Sequence, residues 1–351
     1  MLRTRIFLVV AFMALAAVVL GAASGAAPGY AWQLTPTGTT ARLRGVSAVS
    51  ATVAWTSGSQ GTVLRTLDGG ATWQQVGPPG TQDLQFRDIE AFDANRAVIL
   101  SIGNGSDSRI YVTADRGQHW TLGFVNPDPN AFYDCMTFFD DRRGLALSDP
   151  PDGTKFRIIA TDDGGLSWHV ADPAGMPPAL PGEFAFAASG ECLVTDHGHR
   201  AWFGTGGAAQ ARVFRSDDRG ETWTVSPTPI RSGPTAGIFA LAFRGEQHGL
   251  AVGGDFLAPT ASPDNFALTR DGGATWQLVP GAPPEYRSGA AWVDGHTAVA
   301  VGPSGSDVST DQGRTWTRFS DVSLDTVDCA NPNACWASGA NGLAAHLVRT
   351  H

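Results

Sequence analysis

Lysine is nearly absent from this chain, and so is any excess of positive charge. Lys155 is the only lysine among 24 basic residues, which stand against 33 acidic residues for a formal net charge of −9 over 351 residues. No block of like charge and no basic stripe interrupts the sequence, so we predict no nucleic-acid partner. Beyond residue 20 no apolar run is long enough to span a membrane.

The sequence also lacks the usual signs of a cofactor site. No glycine fingerprint of a nucleotide-binding loop precedes a helical pattern, and no long amphipathic helix can be traced. His197 and His199 have metal-ligand spacing, with Asp149, Asp196 or Asp255 as further ligands, but no spacing fixes a third ligand. We therefore expect no cofactor and no bound metal.

The first 26 residues have the sequence pattern of an export signal. Arg3 and Arg5 precede an apolar run over residues 6–20, and small residues follow at 21–26, with cleavage expected after Ala23 or Ala26. The run is shorter than the roughly 20 residues of a membrane span, although an uncleaved anchor is the alternative. We predict that residues 1–26 are a signal peptide, that the protein is secreted or periplasmic, and that no membrane span remains after cleavage.

What the chain does contain is one eight-residue phrase, Ser/Thr-x-Asp-x-Gly-x-x-Trp, in six copies. The copies occupy residues 66–73, 113–120, 161–168, 216–223, 269–276 and 309–316. Recurrence of one phrase at steps of 40 to 55 residues indicates a repeat architecture.

Each phrase stands between two apolar runs, which is the pattern of a β-hairpin turn. The Asp is expected to accept hydrogen bonds from turn amides two residues on, and the Gly supplies a positive φ. The Trp heads the next strand and buries its ring between neighbouring sheets. These roles stabilise the fold, so we assign a structural role to the six carboxylates, Asp68, Asp115, Asp163, Asp218, Asp271 and Asp311.

The phrase is the Asp box, also called the bacterial neuraminidase repeat, and everything after the leader resembles the Asp-box β-propellers. That family includes sialidases, sortilin-type receptors and the photosystem II assembly factors with their bacterial relatives. The short repeats and strand phrases such as residues 86–89 and 250–254 are most similar to the assembly-factor type. This resemblance implies a protein-binding scaffold outside the cytoplasm.

The ends of the chain complete the blade count. The six box tryptophans mark six blades, and residues 324–350 read as three further strands without a box. Trp32 begins a strand like those that follow the boxes, 41 residues before Trp73. We predict an all-β, seven-bladed propeller with four-stranded blades over residues 30–351, closed by the N-terminal strand joining the C-terminal blade, and a monomer. The alternative, six blades, leaves both ends unpaired.

The four cysteines are expected to lie in an oxidising compartment, where disulfides form. Cys329 and Cys335 flank a five-residue turn between two strand patterns, so we predict a disulfide across that hairpin. Cys135 and Cys192 lie in adjacent repeats, and the sequence leaves open whether they pair or stay buried as thiols.

The binding site is predicted on the face opposite the boxes. Second-to-third-strand turns and blade links lie there, and these turns are longest in blades 3 to 5, at residues 148–153, 196–211 and 253–265. We expect exposed aromatic anchors in these loops and a polar ring where the first strands enter the channel. The candidate binding residues are Arg44, Arg87, Tyr133, His199, Arg200, Trp202, Phe203, Phe256, Tyr286 and Arg287.

The function predicted from these features is a non-catalytic scaffold that binds a protein or a glycan. The alternative is a sialidase-like exo-glycosidase, whose family carries Phe/Tyr-Arg-Ile-Pro before the first box, an Arg cluster, a Tyr–Glu pair and an Asp acid. The string at residues 156–159 lacks that proline. Glu285 and Tyr286 are consecutive, which on a strand places them on opposite faces. We therefore assign no catalytic residue.

Overall fold

The computed structural model describes residues 29–350 and shows seven antiparallel four-stranded sheets arranged as a β-propeller. The prediction of an all-β, seven-bladed propeller is thus confirmed, and the six-bladed alternative is set aside. The predicted signal peptide lies outside the described residues.

The first strand of the chain, β1 (Tyr30–Pro36), belongs to the last blade. Blades 1 and 2 contain, from the channel outward, β2 (Leu43–Ala48), β3 (Ala54–Gly58), β4 (Val63–Thr66), β5 (Gln74–Gln75), then β6 (Gln85–Ala91), β7 (Ala97–Ile102), β8 (Arg109–Thr113), β9 (Thr121–Val125). Blades 3 and 4 contain β10 (Tyr133–Phe138), β11 (Gly144–Ser148), β12 (Arg157–Thr161), β13 (His169–Val170), then β14 (Leu193–Thr195), β15 (Ala201–Gly204), β16 (Arg212–Ser216), β17 (Thr224–Pro227).

Blades 5 and 6 contain β18 (Ala236–Arg244), β19 (His248–Asp255), β20 (Phe266–Thr269), β21 (Gln277–Leu278), then β22 (Gly289–Trp292), β23 (Ala298–Gly302), β24 (Gly305–Ser309), β25 (Thr317–Ser320). Blade 7 contains β26 (Thr326–Asn331), β27 (Ala334–Ser338), β28 (Leu343–Arg349) and, outermost, β1. The helical turns in the described part of the chain are the 3₁₀ turns Gly105–Asp107, Pro173–Gly175 and Ala340–Gly342. None of the helices described there could span a membrane.

The ring closes as predicted. Trp32 lies opposite Leu347 in the antiparallel pair of β1 with β28, beside the strand that carries Trp336. The indole of Trp32 donates a hydrogen bond of 2.9 Å to Ser306 Oγ of blade 6. Pairing the first strand with the last blade satisfies backbone groups that would otherwise form two open edges.

The six repeat turns share one hydrogen-bond pattern. In the first, Asp68 Oδ1 accepts from Thr72 N at 2.9 Å, and Thr66 Oγ1 accepts from Gly70 N at 2.9 Å. The carboxylate therefore binds the amide four residues on rather than two, because the turn wraps around it. Gly70 has a φ of 84°, which requires glycine.

Both pairs of cysteines are disulfide-bonded. Cys329 and Cys335 face each other across the β26–β27 hairpin, and Cys135 of β10 is bonded to Cys192, immediately before β14. The second bond, which the sequence left open, joins blades 3 and 4 and is fully buried.

The two faces of the disc differ in their turns. The face that carries the repeat turns and the first-to-second-strand turns is called the repeat face. The opposite face carries the second-to-third-strand turns and the links between blades, and is called the mouth face. The apolar core lies between adjacent blades, as in the cluster of Phe156, Phe203 and Phe214 between blades 3 and 4.

Candidate functional site

A β-bulge recurs in the innermost strands and places side chains at the channel entrance. Near the start of the innermost strand, the pairing between the first and second strands skips one residue in blades 1, 2, 3 and 5: Arg44, Arg87, Asp134 and Phe239 respectively. A bulge of this kind turns a side chain away from its regular direction. Arg44, Arg87 and Phe239 consequently line one cavity on the mouth face.

This cavity, called the mouth, has a volume of about 480 Å³ and a strongly basic side. Arg42, Arg44 and Arg87 lie together with Asp325, which accepts two hydrogen bonds from Arg42 at 2.7 and 2.6 Å. The bond to Asp325 raises the pKa of Arg42. Burial lowers the pKa of Arg44 and lowers that of Arg87 to about 10. Arg87 therefore stays cationic at neutral pH.

Arg87 is held across the channel. Its Nη1 donates a 2.7 Å hydrogen bond to the carbonyl oxygen of Ala187 in blade 4, while its Nε is buried with no partner among the described residues. An unpaired buried donor is costly, and a carboxylate is the acceptor that a guanidinium binds most strongly. The geometry thus favours an anionic ligand.

The mouth also contains an aromatic shelf formed by Phe186, Phe239, Phe256 and Tyr286. Phe186 stacks on Phe239 with ring centroids 3.9 Å apart, and Tyr286 meets Phe239 edge-on at 4.7 Å. Phe256 remains 43% exposed at the rim. Cationic and apolar side chains therefore line the same space, which is large enough for several side chains of a ligand.

Four of the predicted binding residues meet in the mouth: Arg44, Arg87, Phe256 and Tyr286. Sequence reasoning did not name Arg42, Phe186 or Phe239. Arg42 precedes its strand, and Phe186 and Phe239 resemble ordinary core residues in an apolar run. The bulge in blade 5 that redirects Phe239 leaves no mark in the sequence.

The prediction of Trp202 and Phe203 as exposed anchors was wrong. Residues 196–211 are not one turn, because the second strand of blade 4, β15, lies within them. Both aromatic side chains are fully buried there, Trp202 stacked on Phe243 at 3.7 Å and Phe203 on Phe214 at 4.4 Å. They stabilise the contacts between blades.

His199 and Arg200 lie on the repeat face, away from the mouth. They belong to the first-to-second-strand turn of blade 4, where His199 O accepts from Arg219 N of a repeat turn at 2.8 Å. Arg200 pairs with Asp217 at 3.0 Å and with Glu246 at 3.3 Å. Within residues 29–350 no group of three or more His, Cys, Asp and Glu side chains is arranged to hold a metal ion.

Tyr133 and Arg287 were also expected at the channel mouth, but both are core residues. Tyr133 is 1% exposed and packs against Phe124 with ring centroids 5.2 Å apart. Arg287 is fully buried, with its Nε 2.7 Å from Asp307 Oδ2. A side chain committed to a buried ion pair is not free to bind a ligand.

The opposite end of the channel is acidic. A second cavity of about 510 Å³, called the acidic chamber, is lined by Asp88, Glu90, Glu191 and Asp328. Burial raises the pKa of Asp88 to about 8 and raises the pKa values of Glu90, Glu191 and Asp328. Asp88 accepts from Met136 N at 2.6 Å and Asp328 from Ala48 N at 2.8 Å, so each links its own blade to the next.

Comparison with known proteins supports the fold. No protein-family model matches the chain. The xyloglucanase Xgh74A of Acetivibrio thermocellus is 26% identical over an alignment that covers 63% of this chain. The chain spans only 29% of the length of that curated relative.

Two solved propellers match nearly the whole described chain. The structure titled YCF48 bound to D1 peptide has a TM-score of 0.62 at 16% identity and covers 91% of this chain and 95% of its own. YCF48 from Cyanidioschyzon merolae has a TM-score of 0.61 at 16% identity, with coverages of 90% and 99%. The predicted resemblance to propellers of the photosystem II assembly-factor type is thus confirmed for the fold.

Proposed function

We propose that the protein is a non-catalytic propeller that binds an acidic, apolar segment of a partner protein in the mouth. The observation that carries this proposal is the convergence of Arg42, Arg44 and Arg87 in the same cavity as the aromatic shelf. Carboxylates of the ligand bind the guanidinium groups, and a neighbouring apolar side chain packs on Phe239 and Phe256. That a solved propeller of this fold holds a peptide supports a peptide as the ligand.

The proposal includes export and a monomeric state. Two disulfides are typical of a protein that leaves the cytoplasm, and they agree with the signal pattern of residues 1–26. A scaffold of this type binds its partner outside the cytoplasm without altering it covalently.

Fluorescence anisotropy with a labelled peptide tests the proposal. The probe is the acidic heptapeptide EFDELFD, and its neutral counterpart QFNQLFN has the same apolar residues. Arg44→Gln combined with Arg87→Gln should weaken binding of the acidic peptide about 100-fold, since two charge-assisted contacts are lost. Arg200→Gln on the repeat face is the matched control and should change the affinity less than twofold. Equal binding of both peptides, or full binding by the double variant, would refute the proposal.

The second candidate function is a sialidase-like exo-glycosidase. It is favoured by the presence of three arginines and Tyr286 in one cavity, since such a cluster suits a sugar carboxylate. Tyr286 is only 6% exposed, and burial raises the pKa of its phenol. Glu285 is held by Ser304 at 2.6 Å and by Arg318 at 2.6 Å, so its carboxylate is already bound by other side chains.

A fluorogenic sialoside separates the two functions. The proposed scaffold shows no turnover, and a sialoside that binds without turnover indicates a glycan ligand in the same mouth. Turnover that Tyr286→Phe abolishes would make the protein an enzyme and reverse the order of the two proposals.

A further inference from the structure

One segment of blade 4 crosses the channel and separates its two ends. Residues 186–191, called the channel segment, precede β14. The first half, Phe186 to Ala188, lines the mouth, whereas the second half, Ser189 to Glu191, lines the acidic chamber. The channel therefore consists of two cavities that share this segment as a common wall.

The channel segment and the cysteine that follows it are bound to four other blades. Ala187 O accepts from Arg87 of blade 2 at 2.7 Å. Ser189 O lies 3.1 Å from Thr326 Oγ1 of blade 7, whose single hydroxyl proton it shares with the Glu191 carboxylate. Glu191 O accepts from Leu241 N of blade 5 at 2.9 Å. The next residue, Cys192, is bonded to Cys135 of blade 3.

The Glu191 side chain makes the strongest of these attachments. Its Oε1 accepts from Thr326 Oγ1 at 2.9 Å and from Val327 N at 3.1 Å, and its Oε2 accepts from Ala290 N at 2.5 Å. Three donors from blades 6 and 7 thus bind one carboxylate that belongs to blade 4. Gly190 lets the segment pass close to blade 2, because a Cβ there would lie 2.5 Å from Asp88 Oδ1.

We propose that Glu191 is a positioning residue for the mouth, although its carboxylate lies in the acidic chamber. By holding the channel segment against blades 6 and 7, it fixes the carbonyl oxygen of Ala187, and that oxygen fixes Arg87. The inference rests on the proposed function in one respect, since the ligand that Arg87 meets is the acidic peptide.

The physical reason is preorganisation. The guanidinium group of Arg87 has one protein acceptor among its described contacts, Ala187 O, so a shift of the channel segment releases it. A released arginine must be ordered again when the ligand binds, which reduces the affinity. The effect of Glu191 on the ligand should therefore pass through Arg87.

Matched variants in the acidic chamber test the positioning role. Glu191→Ala should weaken binding of EFDELFD about tenfold. Asp328→Ala removes another carboxylate that links two blades, but Asp328 bonds to Ala48 and Cys329 and not to the channel segment. It should change the affinity less than twofold. In an Arg87→Gln background, Glu191→Ala should have no further effect, because the two residues act as one unit.

A measurement without ligand decides the role independently of the proposed function. In Glu191→Ala, hydrogen exchange of residues 186–191 and modification of Arg87 by phenylglyoxal should each rise at least fivefold, and Asp328→Ala should leave both unchanged. Glu191→Gln, which keeps the volume but turns an amide N–H₂ toward backbone donors, serves if the alanine variant does not fold. It should show the same changes in smaller degree.

The outcomes separate the two proposals. The wild-type protein could fail to bind the acidic peptide while hydrogen exchange and Arg87 modification still rise in Glu191→Ala. In that case the proposed function is wrong and the positioning role stands. Unchanged exchange and modification in the glutamate variants, or an additive effect of Glu191→Ala in the Arg87→Gln background, would overturn the positioning role.

Discussion

The two ends of the channel are built from the same inner strands, yet one is lined by guanidinium groups and the other by carboxyl groups. Arg87 and Asp88 are consecutive residues of β6, but Arg87 lines the mouth and Asp88 lines the acidic chamber. The bulge at Arg87 makes this division possible, because it inserts one residue that does not follow the regular alternation. One local irregularity in a strand is enough to direct neighbouring side chains to two chemically distinct ends of the channel.

The two ends also differ in how their charges are used. In the acidic chamber the carboxylates of Asp88, Glu191 and Asp328 accept hydrogen bonds from backbone amides of other blades. In the mouth the buried Nε of Arg87 has no partner within residues 29–350. We infer that the acidic chamber holds the ring together and that the mouth binds the ligand.

The largest effect is expected from the disulfide beside the channel segment. Cys135→Ala with Cys192→Ala opens a link across 57 residues, whereas Cys329→Ala with Cys335→Ala opens one across only 6. Loop-closure entropy predicts losses of about 4 and about 2 kcal/mol in the free energy of unfolding. Urea unfolding without reductant measures both. If the loss of the Cys329–Cys335 disulfide lowers the free energy of unfolding more than the loss of the Cys135–Cys192 disulfide, stability depends on the rim of the acidic chamber rather than on the channel segment.

The pH dependence of stability should also distinguish the two ends, with a smaller change in the free energy of unfolding. Burial raises the pKa of Asp88 from 3.8 to about 8, so the folded protein keeps a proton that the unfolded chain releases. The free energy of unfolding should therefore fall as the pH rises through this window, by on the order of 3 kcal/mol between pH 5 and pH 8.

Asp88→Asn tests this sign, because the neutral amide cannot lose a proton. Unfolding at several pH values should show a flatter profile for this variant, while Asp83→Asn at an exposed position should match the wild type. Peptide affinity at the mouth should stay constant from pH 6 to 8, since Arg87 has a pKa of about 10. A variant profile as steep as the wild-type profile would contradict the assignment to Asp88.

The repeat turns lie outside both ends of the channel and should affect stability alone. Asp163 Oδ1 accepts from Ser167 N at 2.9 Å and Asp163 Oδ2 from Ser167 Oγ at 2.6 Å. Asp163→Ala should lower the free energy of unfolding by about 1–2 kcal/mol and leave peptide affinity unchanged. Asp162→Ala, one residue earlier, is the control for stability. Loss of binding at unchanged stability would show that the repeat turn takes part in recognition.

The smallest expected effect is an increase in the affinity of the mouth for the peptide. Asp325 competes with the ligand for Arg42, to which it is bound at 2.7 and 2.6 Å. Asp325→Asn should tighten binding of EFDELFD about fivefold, equivalent to about 1 kcal/mol. Anisotropy at low and high salt measures the gain, which should shrink as salt rises. A weaker affinity would mean that Asp325 holds Arg42 in its binding position instead of opposing the ligand.

The blade count and the closure could be predicted because their causes are local. Each repeat carries its own turn chemistry, a hydroxyl, Asp68 or its equivalent, a glycine and a tryptophan, so the spacing of the tryptophans counts the blades. Trp32 repeats the same pattern at the N-terminus, which predicts its pairing with the last blade. The turns of blade 4 could not be assigned, because β15 is a short strand inside a run that resembles one long loop.

The all-β repeat, the seven blades, the closing strand and the hairpin disulfide could be predicted from the sequence, since each leaves its own pattern in a short stretch of residues. The site forms only in the folded ring. Arg42, Arg87, Phe186, Phe239 and Asp325 come from five different blades and meet only when the ring is closed. Bulges in blades 1, 2 and 5 select which residue of the inner strand faces the mouth. Backbone register of this kind depends on strand pairing, which the order of side chains does not reveal.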